Sequence, residues 1–242
     1  MVYVEPFFGS GAIGWEILAG LKDGTKVVLN DCDVWLMQLW RAVKEAPDEL
    51  ITKIRGAQVS SALFSEYKAT DGSDDYDFVE AGFRKLMLHQ MSFSGLGAKA
   101  GGPIGGREQD NRKYNVGSRW NYIEQERRVR ERHLLLSRFN VVISWLDFEE
   151  VITKHDSRWT FFYCDPPYCD KGGELYKYSF SNEDHARLAN KLKTIRGKFV
   201  LSYDDAVLVR DYYAGFNIIE TDAIYSICGS RKNHELIIKN FI

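Results

Sequence analysis

The stretch Thr160-Phe161-Phe162-Tyr163-Cys164-Asp165-Pro166-Pro167-Tyr168 reads as a buried strand that ends in an acid, two prolines and an aromatic ring. A short apolar run closed by proline fits a strand covered on both faces. In an open α/β sheet the chemistry sits where such a strand hands over to a loop. The two prolines fix two φ angles and remove two N–H donors, so the loop is stiff and its carbonyls are left as outward acceptors. Asp165 and the Pro166 carbonyl can each accept one N–H of an exocyclic amine, and Tyr168 can stack on the ring that carries it. The competing reading is a proline-rich turn with an incidental acid.

A second anchor lies at the front. Val2-Tyr3-Val4-Glu5-Pro6-Phe7-Phe8-Gly9-Ser10-Gly11 is a short apolar strand, a proline and a glycine turn, followed by helical spacing over residues 12–21. Gly9 and Gly11 allow a close backbone approach at the start of a helix. Twenty residues after Gly11 a second strand, 26–30, runs into Asp31, the spacing of an acid that bonds ribose hydroxyls. A nucleoside cofactor is implied. Gly9, Gly11 and Gly14 form G-x-G-x-x-G after Phe-Phe rather than after a long buried strand, so spacing does not separate one nucleotide from another. A plain strand-to-helix turn stays open as the alternative.

Taken in order, Glu5-Pro6-Phe7-Phe8-Gly9-Ser10-Gly11, Asn30-Asp31, Asp147-Phe148, Asp165-Pro166-Pro167-Tyr168, Lys198-Phe199-Val200-Leu201-Ser202-Tyr203 and Glu235-Leu236-Ile237-Ile238-Lys239-Asn240 resemble the motifs of Dam-type DNA adenine-N6 methyltransferases. Their order matches as well: the glycine motif, a long insertion carrying Ser92-Phe93-Ser94-Gly95-Leu96, then Asp-Pro-Pro-Tyr. The resemblance covers nearly the whole chain. It implies an α/β fold with a doubly wound, seven-stranded, mostly parallel sheet of the Rossmann-like methyltransferase type and an inserted, mainly helical DNA-recognition lobe. It implies S-adenosyl-L-methionine as methyl donor and no metal. Glu5, Phe7, Gly9, Ser10 and Gly11 would line the methionine end, Asp31 the ribose, Asp147 and Phe148 the adenine, with Asp165 at the reacting end. The implied reaction methylates N6 of an adenine flipped out of duplex DNA, in a restriction-modification setting, and leaves S-adenosyl-L-homocysteine. Asp165 and the Pro166 carbonyl would hold N6, Tyr168 one face of the base, and Phe180 or Tyr178 the region of the other. Family members usually start with a Gly-Gly-Lys-containing segment ahead of the cofactor strand, whereas Met1 lies one residue before it here. The expectation is a site more open at the methionine end and a weaker grip on the donor. RNA or a protein amide as acceptor, and a non-catalytic nucleic-acid-binding relative, stay open as further readings.

Composition bounds the rest. A chain of 242 residues buries one good core and a modest insertion. No stretch reaches membrane-spanning length and no signal pattern follows Met1, so the expectation is a soluble, cytoplasmic protein of a bacterial, archaeal or virus-infected cell. Cys32, Cys164, Cys169 and Cys228 lack metal-ligand spacing and read as buried free thiols.

Periodicity places strands at 2–4, 26–30, 140–145, 160–164, 198–202, 216–220 and 235–241, and helices at 12–20, 33–45, 147–155, 182–195 and 204–213. The expected division is 1–46 with 139–242 as the catalytic domain, and 47–138 as the target-recognition lobe. That lobe should hold a helix from Pro47 to Gly56, further helical spacing at 60–68 and 75–91, and a glycine-rich loop from Gly95. The net charge of −2 gives no hint of a polyanionic partner, but residues 99–138 hold ten Lys or Arg against five Asp or Glu. A local excess of that kind suits phosphate neutralisation. Lys99, Arg107, Arg112 and Lys113 are the candidates for phosphates, and Arg119 or Asn115 for a base edge. The competing readings are a solvated helix whose Glu and Arg residues pair at i, i+3 and i+4, and a loop with little intrinsic order, since six of residues 95–106 are glycine.

Overall fold

The computed structural model describes residues 1–95, 97, 100–106, 109, 114–169, 179–225 and 231–242. Lys99, Arg107, Arg112, Lys113 and Tyr178 lie outside the described residues. The chain forms two compact units, Met1–Cys32 with Asn140–Ile242, and Asp33–Phe139.

The first unit is built on a seven-stranded sheet. Its strands are β1 (Val2–Glu5), β2 (Lys26–Asn30), β3 (Asn140–Ser144), β4 (Thr160–Cys164), β5 (Lys198–Asp204), β6 (Asn217–Tyr225) and β7 (Arg231–Lys239), in the order β3-β2-β1-β4-β5-β7-β6. The first five run parallel, and β7 runs antiparallel to both β5 and β6. This is the doubly wound, mostly parallel sheet that the strand spacing predicts. Val4, Val28, Phe162, Phe199 and Leu201 are fully buried in its centre. They pack against Val151 and Ile152 of α7 (Phe148–His155) and Leu188 and Leu192 of α8 (Asn182–Thr194). Each such side chain contributes about 1.5–3 kcal/mol on burial. The strand order reverses between β1 and β4, so the loops leaving those two strands diverge and open a crevice at their carboxyl ends.

Two expectations shift at the C-terminal end. β6 and β7 extend past the predicted strands toward each other: Thr221-Asp222 follows the strand predicted over 216–220 and carries no apolar run, yet it pairs with Glu235 and His234. The helix predicted over 204–213 shortens to α9 (Val207–Tyr212), since Asp204 is still paired in β5. The cysteines do not share one environment: Cys164 is buried, Cys169 intermediate and Cys32 exposed.

The second unit contains α2 (Val34–Glu45), α3 (Pro47–Gly56), α4 (Ser61–Ala69), α5 (Phe78–Met91) and α6 (Tyr122–Leu136). α2 packs so closely on α5 that a Cβ at Gly82 would stand 2.6 Å from the Leu39 Cα. It therefore belongs to this unit, which begins at Asp33 rather than at residue 47. Asp33 caps α2 by accepting from the Leu36 N–H and also takes an ion pair at 2.6 Å from the buried Lys85. Asp71 is the second partner of Lys85 at 3.1 Å. The glycine-rich segment is more tied than its composition suggests. Ser92 bridges to Pro103, the Phe93 N–H donates to the Gly102 carbonyl, Lys68 Nζ donates to the Ala100 carbonyl, and Ala100 and Ile104 are buried. Among the described residues no helix is long and apolar enough to cross a membrane.

Candidate active site

Four parallel strands end in an acid. β1 closes on Glu5 and β5 on Asp204, while β2 is followed by Asp31 and β4 by Asp165. The antiparallel β7 brings a fifth carboxylate, Glu235, opposite Asp204 at the end of β5. Glu5 is 2% exposed and accepts from the Tyr3 hydroxyl at 2.7 Å. Burial lifts its carboxyl to about 8; the Tyr3 bond opposes this, and the nearby Asp165 and Asp31 carboxylates add to it. Asp165 keeps an open face to solvent, yet the protein around it removes enough hydration to push its carboxyl up to about 6. Glu235 adds to the rise and the Tyr168 hydroxyl opposes it.

The glycine turn after β1 is built on left-handed backbone, with φ of +51° at Gly9 and +72° at Gly11. That conformation is open to glycine at little cost. The Gly11 N–H closes on the Phe8 carbonyl at 2.7 Å, and Trp15 Nε1 donates to the Ser10 carbonyl at 3.0 Å. Asp31 Oδ2 accepts the Gly9 N–H at 2.9 Å, so the acid read as a ribose ligand also holds the turn. A Cβ at Gly14 would stand 2.4 Å from Glu5 Oε2, which means the Glu5 carboxylate lies directly against the first turn of α1 (Gly14–Gly20).

Asn30 is the residue that ties these loops together, although in the sequence it stands out only as part of a motif. It is fully buried, with Nδ2 donating to the Pro6 and Leu146 carbonyls, both at 3.0 Å. Its Oδ1 accepts from Ser144 Oγ at 2.8 Å and from the Leu146 N–H at 2.9 Å. One side chain thus fixes the exits of β1 and β3.

Phe7, Phe148 and Phe180 form one aromatic group, with ring centroids 5.6 Å (Phe7–Phe148), 5.6 Å (Phe7–Phe180) and 5.2 Å (Phe148–Phe180) apart. Phe180, read as a neighbour of the flipped base, therefore stands beside the two phenylalanines read as donor contacts. Asp147 caps α7 by accepting the Glu149 N–H at 2.9 Å and pairs with Arg187 at 2.9 Å. Arg187 also reaches Glu149 and Asp184, and its guanidinium lies 4.8 Å from the centre of the Phe148 ring. Arg187 carries no motif signal, because two of its partners, Asp147 and Glu149, come from elsewhere in the sequence.

In the Asp-Pro-Pro-Tyr loop Pro166 is buried. The Tyr168 hydroxyl donates to Glu235 Oε1 at 3.0 Å and stands 3.2 Å from Ser202 Oγ, while its ring packs 6.1 Å from that of Tyr203. The Cys169 N–H donates to Asp204 Oδ1 at 3.1 Å. Ser202, Asp204 and Glu235 thus anchor the loop from β5 and β7.

Asn115 and Arg119 belong to the second unit. Asn115 caps the short 3-10 helix Val116–Arg119: its Oδ1 accepts the Gly117 N–H at 3.0 Å and lies 3.3 Å from Ser118 Oγ. The exposed Arg119 closes that turn. Along α6, Arg127 and Arg128 pair with Glu124, and Arg130 and Arg55 with Glu126. These charges engage one another as the solvated-helix reading expects.

Comparison with known proteins agrees with this arrangement. The family model described as D12 class N6 adenine-specific DNA methyltransferase matches residues 1–227. Similar curated proteins include the Type II methyltransferase M1.LlaDCHI of Lactococcus lactis subsp. cremoris, 26% identical over 91% of this chain and 78% of that protein. M.MjaIII of Methanocaldococcus jannaschii is 28% identical over 99% of this chain and 88% of its own. M.CviBI of Paramecium bursaria Chlorella virus NC1A is 23% identical, with 99% and 89% covered.

Proposed function

Because the chain belongs to the D12 class of N6 adenine-specific DNA methyltransferases, we propose that the crevice between β1 and β4 is where it methylates adenine N6, with Asp165 as the group that receives that amine. The observation that carries this reading is the placement of Asp165-Pro166-Pro167-Tyr168 at the carboxyl end of β4, beside Glu5 and across from Glu235. An ionised Asp165 and the Pro166 carbonyl each accept one N–H, which aligns the amine and leaves its lone pair facing away from both. The Tyr168 ring, held by its hydroxyl, offers a flat apolar face to a base. To present N6, an adenine in a duplex must leave the stack, at a cost of a few kcal/mol.

The residues around Glu5 fit S-adenosyl-L-methionine, a zwitterion with a sulfonium and an ammonium group. Glu5 is a buried carboxyl whose ionisation is opposed by burial and by Asp165 and Asp31, so a cation beside it would relieve a cost already present. The Gly9 turn leaves room, since a Cβ there would have nothing nearer than Asp31 Oδ2 at 4.0 Å. Glu5, Phe7 and the Gly9–Ser10–Gly11 turn would hold the methionine end, Asp31 the ribose, and Asp147 and Phe148 the adenine. When bound, the donor supplies an electrophilic methyl carbon. Within the chain, Asp165 Oδ and the Pro166 carbonyl would each hold one N6 proton in place, and the buried Pro166 and the aromatic group limit water.

We assign duplex DNA as the substrate, with Lys99, Arg107, Arg112 and Lys113 on phosphates, Arg119 or Asn115 on a base edge, and residues 33–139 as the recognising unit. The names of the relatives support a Type II modification role. A DNA substrate places the enzyme where DNA is, which in a bacterium or archaeon is the cytoplasm.

The test is Asp165→Ala with labelled donor and adenine-containing duplex DNA. Transfer should fall by at least about 10²-fold, as for other groups removed from a transition state, with affinity for S-adenosyl-L-homocysteine retained. Near-normal turnover would remove Asp165 from the chemistry.

A further inference from the structure

We propose that Glu235 is a positioning residue for the methyl transfer: from β7 it holds the Tyr168 hydroxyl, and its charge acts on the Asp165 carboxylate beside that hydroxyl. This deepens the function proposed for the site and rests on Asp165 being the group that receives N6.

The placement follows from topology. β7 runs against β5, so its first half returns to the edge where the parallel strands end, and the register sets Glu235 opposite Asp204 and Leu236 opposite Tyr203. Leu236 is fully buried, and the neighbouring Glu235 reaches the Tyr168 hydroxyl at 3.0 Å. A tyrosine hydroxyl carries one proton. Donated to Glu235, it is not available to Asp165, which also draws on that hydroxyl. Two carboxylates therefore compete for one hydrogen, and removing the charge of one weakens its hold on the hydroxyl relative to the other.

The consequence concerns protonation. An ionised Asp165 is the stronger acceptor of an N–H, since the protonated acid keeps only its carbonyl oxygen free and presents a hydrogen of its own. Burial and then Glu235 raise Asp165 to about 6, so the working form is lost as pH falls through that value. Other titratable groups around the pair are Glu5 on β1, Tyr163 on β4, Asp204 on β5 and His234 on β7, while on β6 the residue paired with Glu235 is the non-titrating Thr221. Among the described residues, Glu235 is the one charge that raises Asp165.

The experiment measures kcat and donor KM for the full chain with duplex DNA between pH 4.5 and 9, for the native protein, E235Q, E235A and D165A. In E235Q the amide carbonyl still accepts from Tyr168, so the rate at pH 8 should fall by about threefold or less. Its acid limb should move to lower pH by about half a unit to one unit as the like charge disappears. E235A loses the anchor too, and kcat should fall about tenfold at pH 8 with donor KM unchanged. A merely structural role would lower the rate without moving the limb. An E235Q limb that coincides with the native one overturns the proposal, and this arm decides even where E235A does not fold. D165A separates the two readings: near-normal activity there removes Asp165, whereas an inactive D165A with a native E235Q profile removes Glu235 alone.

Discussion

Asn30 makes four hydrogen bonds from one fully buried amide, and their chemistry is asymmetric. Asn30→Ala leaves the Pro6 and Leu146 carbonyls without their donor, and at about 1–3 kcal/mol for each buried unsatisfied group the loss in urea unfolding should reach about 3 kcal/mol. Asn30→Asp keeps the accepting oxygen but sets a carboxylate oxygen against two carbonyls. It should be at least as destabilising at pH 7, and partly relieved at low pH, where a protonated oxygen can donate; native-like stability at pH 7 would contradict these bonds. Glu5 gives a second prediction, with its sign set by the direction of its shift. Its carboxyl rises from 4.5 to about 8 on folding, so its neutral form favours the fold at low pH and that contribution is lost as pH rises through about 8. Glu5→Gln should therefore match the native Tm near pH 5 and exceed it near pH 9. The gap should be several degrees, since about 1 kcal/mol moves Tm by about 2–4 °C at this size. A constant gap across the range would sink the assignment. Glu5, Asp31 and Asp165 were legible in the sequence because each ends an apolar run. Glu235 and Asn30 were legible only as parts of motifs, because their partners lie on strands whose pairing no local pattern states.

At the scale of elements, α7 and α8 show how helices position a site through side chains without motif character. Arg187 of α8 engages Asp147, Glu149 and Asp184 and covers the Phe148 ring, so it sets the start of α7, where the donor's adenine is assigned. These pairs are partly exposed and individually weak. A stacked guanidinium contributes about 0.5–1 kcal/mol at such a site, equivalent to about a twofold to fivefold change in affinity. Arg187→Ala should raise donor KM by about that factor with kcat little changed, and Arg187→Lys should recover only part of it, since an ammonium lacks the planar fork. An unchanged donor KM would mean that Asp147 and Phe148 hold their places without it. The helices themselves were legible from spacing: α3 begins at the predicted Pro47, and α5 falls within the spacing read over 75–91. The pairing of α2 with α5 was not, because α2 is contiguous in sequence with the first βαβ segment. What binds it elsewhere is the close approach at Gly82 and the buried Lys85 between Asp33 and Asp71.

At the scale of the molecule, two units of different charge character imply two separable affinities. The positive excess of residues 99–138 is local within a chain of net charge −2, and the carboxylates of Glu5, Asp31, Asp165, Asp204 and Glu235 gather at the strand ends of the other unit. Arg127, Arg128 and Arg130 of α6 are already engaged with Glu124 and Glu126, and an ion-paired arginine releases fewer counterions from DNA than a free one. The salt-dependent part of DNA binding should therefore fall on Arg107, Arg112 and Lys113 rather than on the helix. Replacing those three with Gln should flatten the plot of log K against log salt by about 0.9 for each phosphate no longer neutralised, while Arg127→Gln and Arg128→Gln change it little. Affinity for S-adenosyl-L-homocysteine, measured by calorimetry, should be unchanged in all of them. If the α6 replacements flatten the slope as much as the loop replacements do, the ion pairs of the free protein open on DNA, and the helix is part of the binding surface.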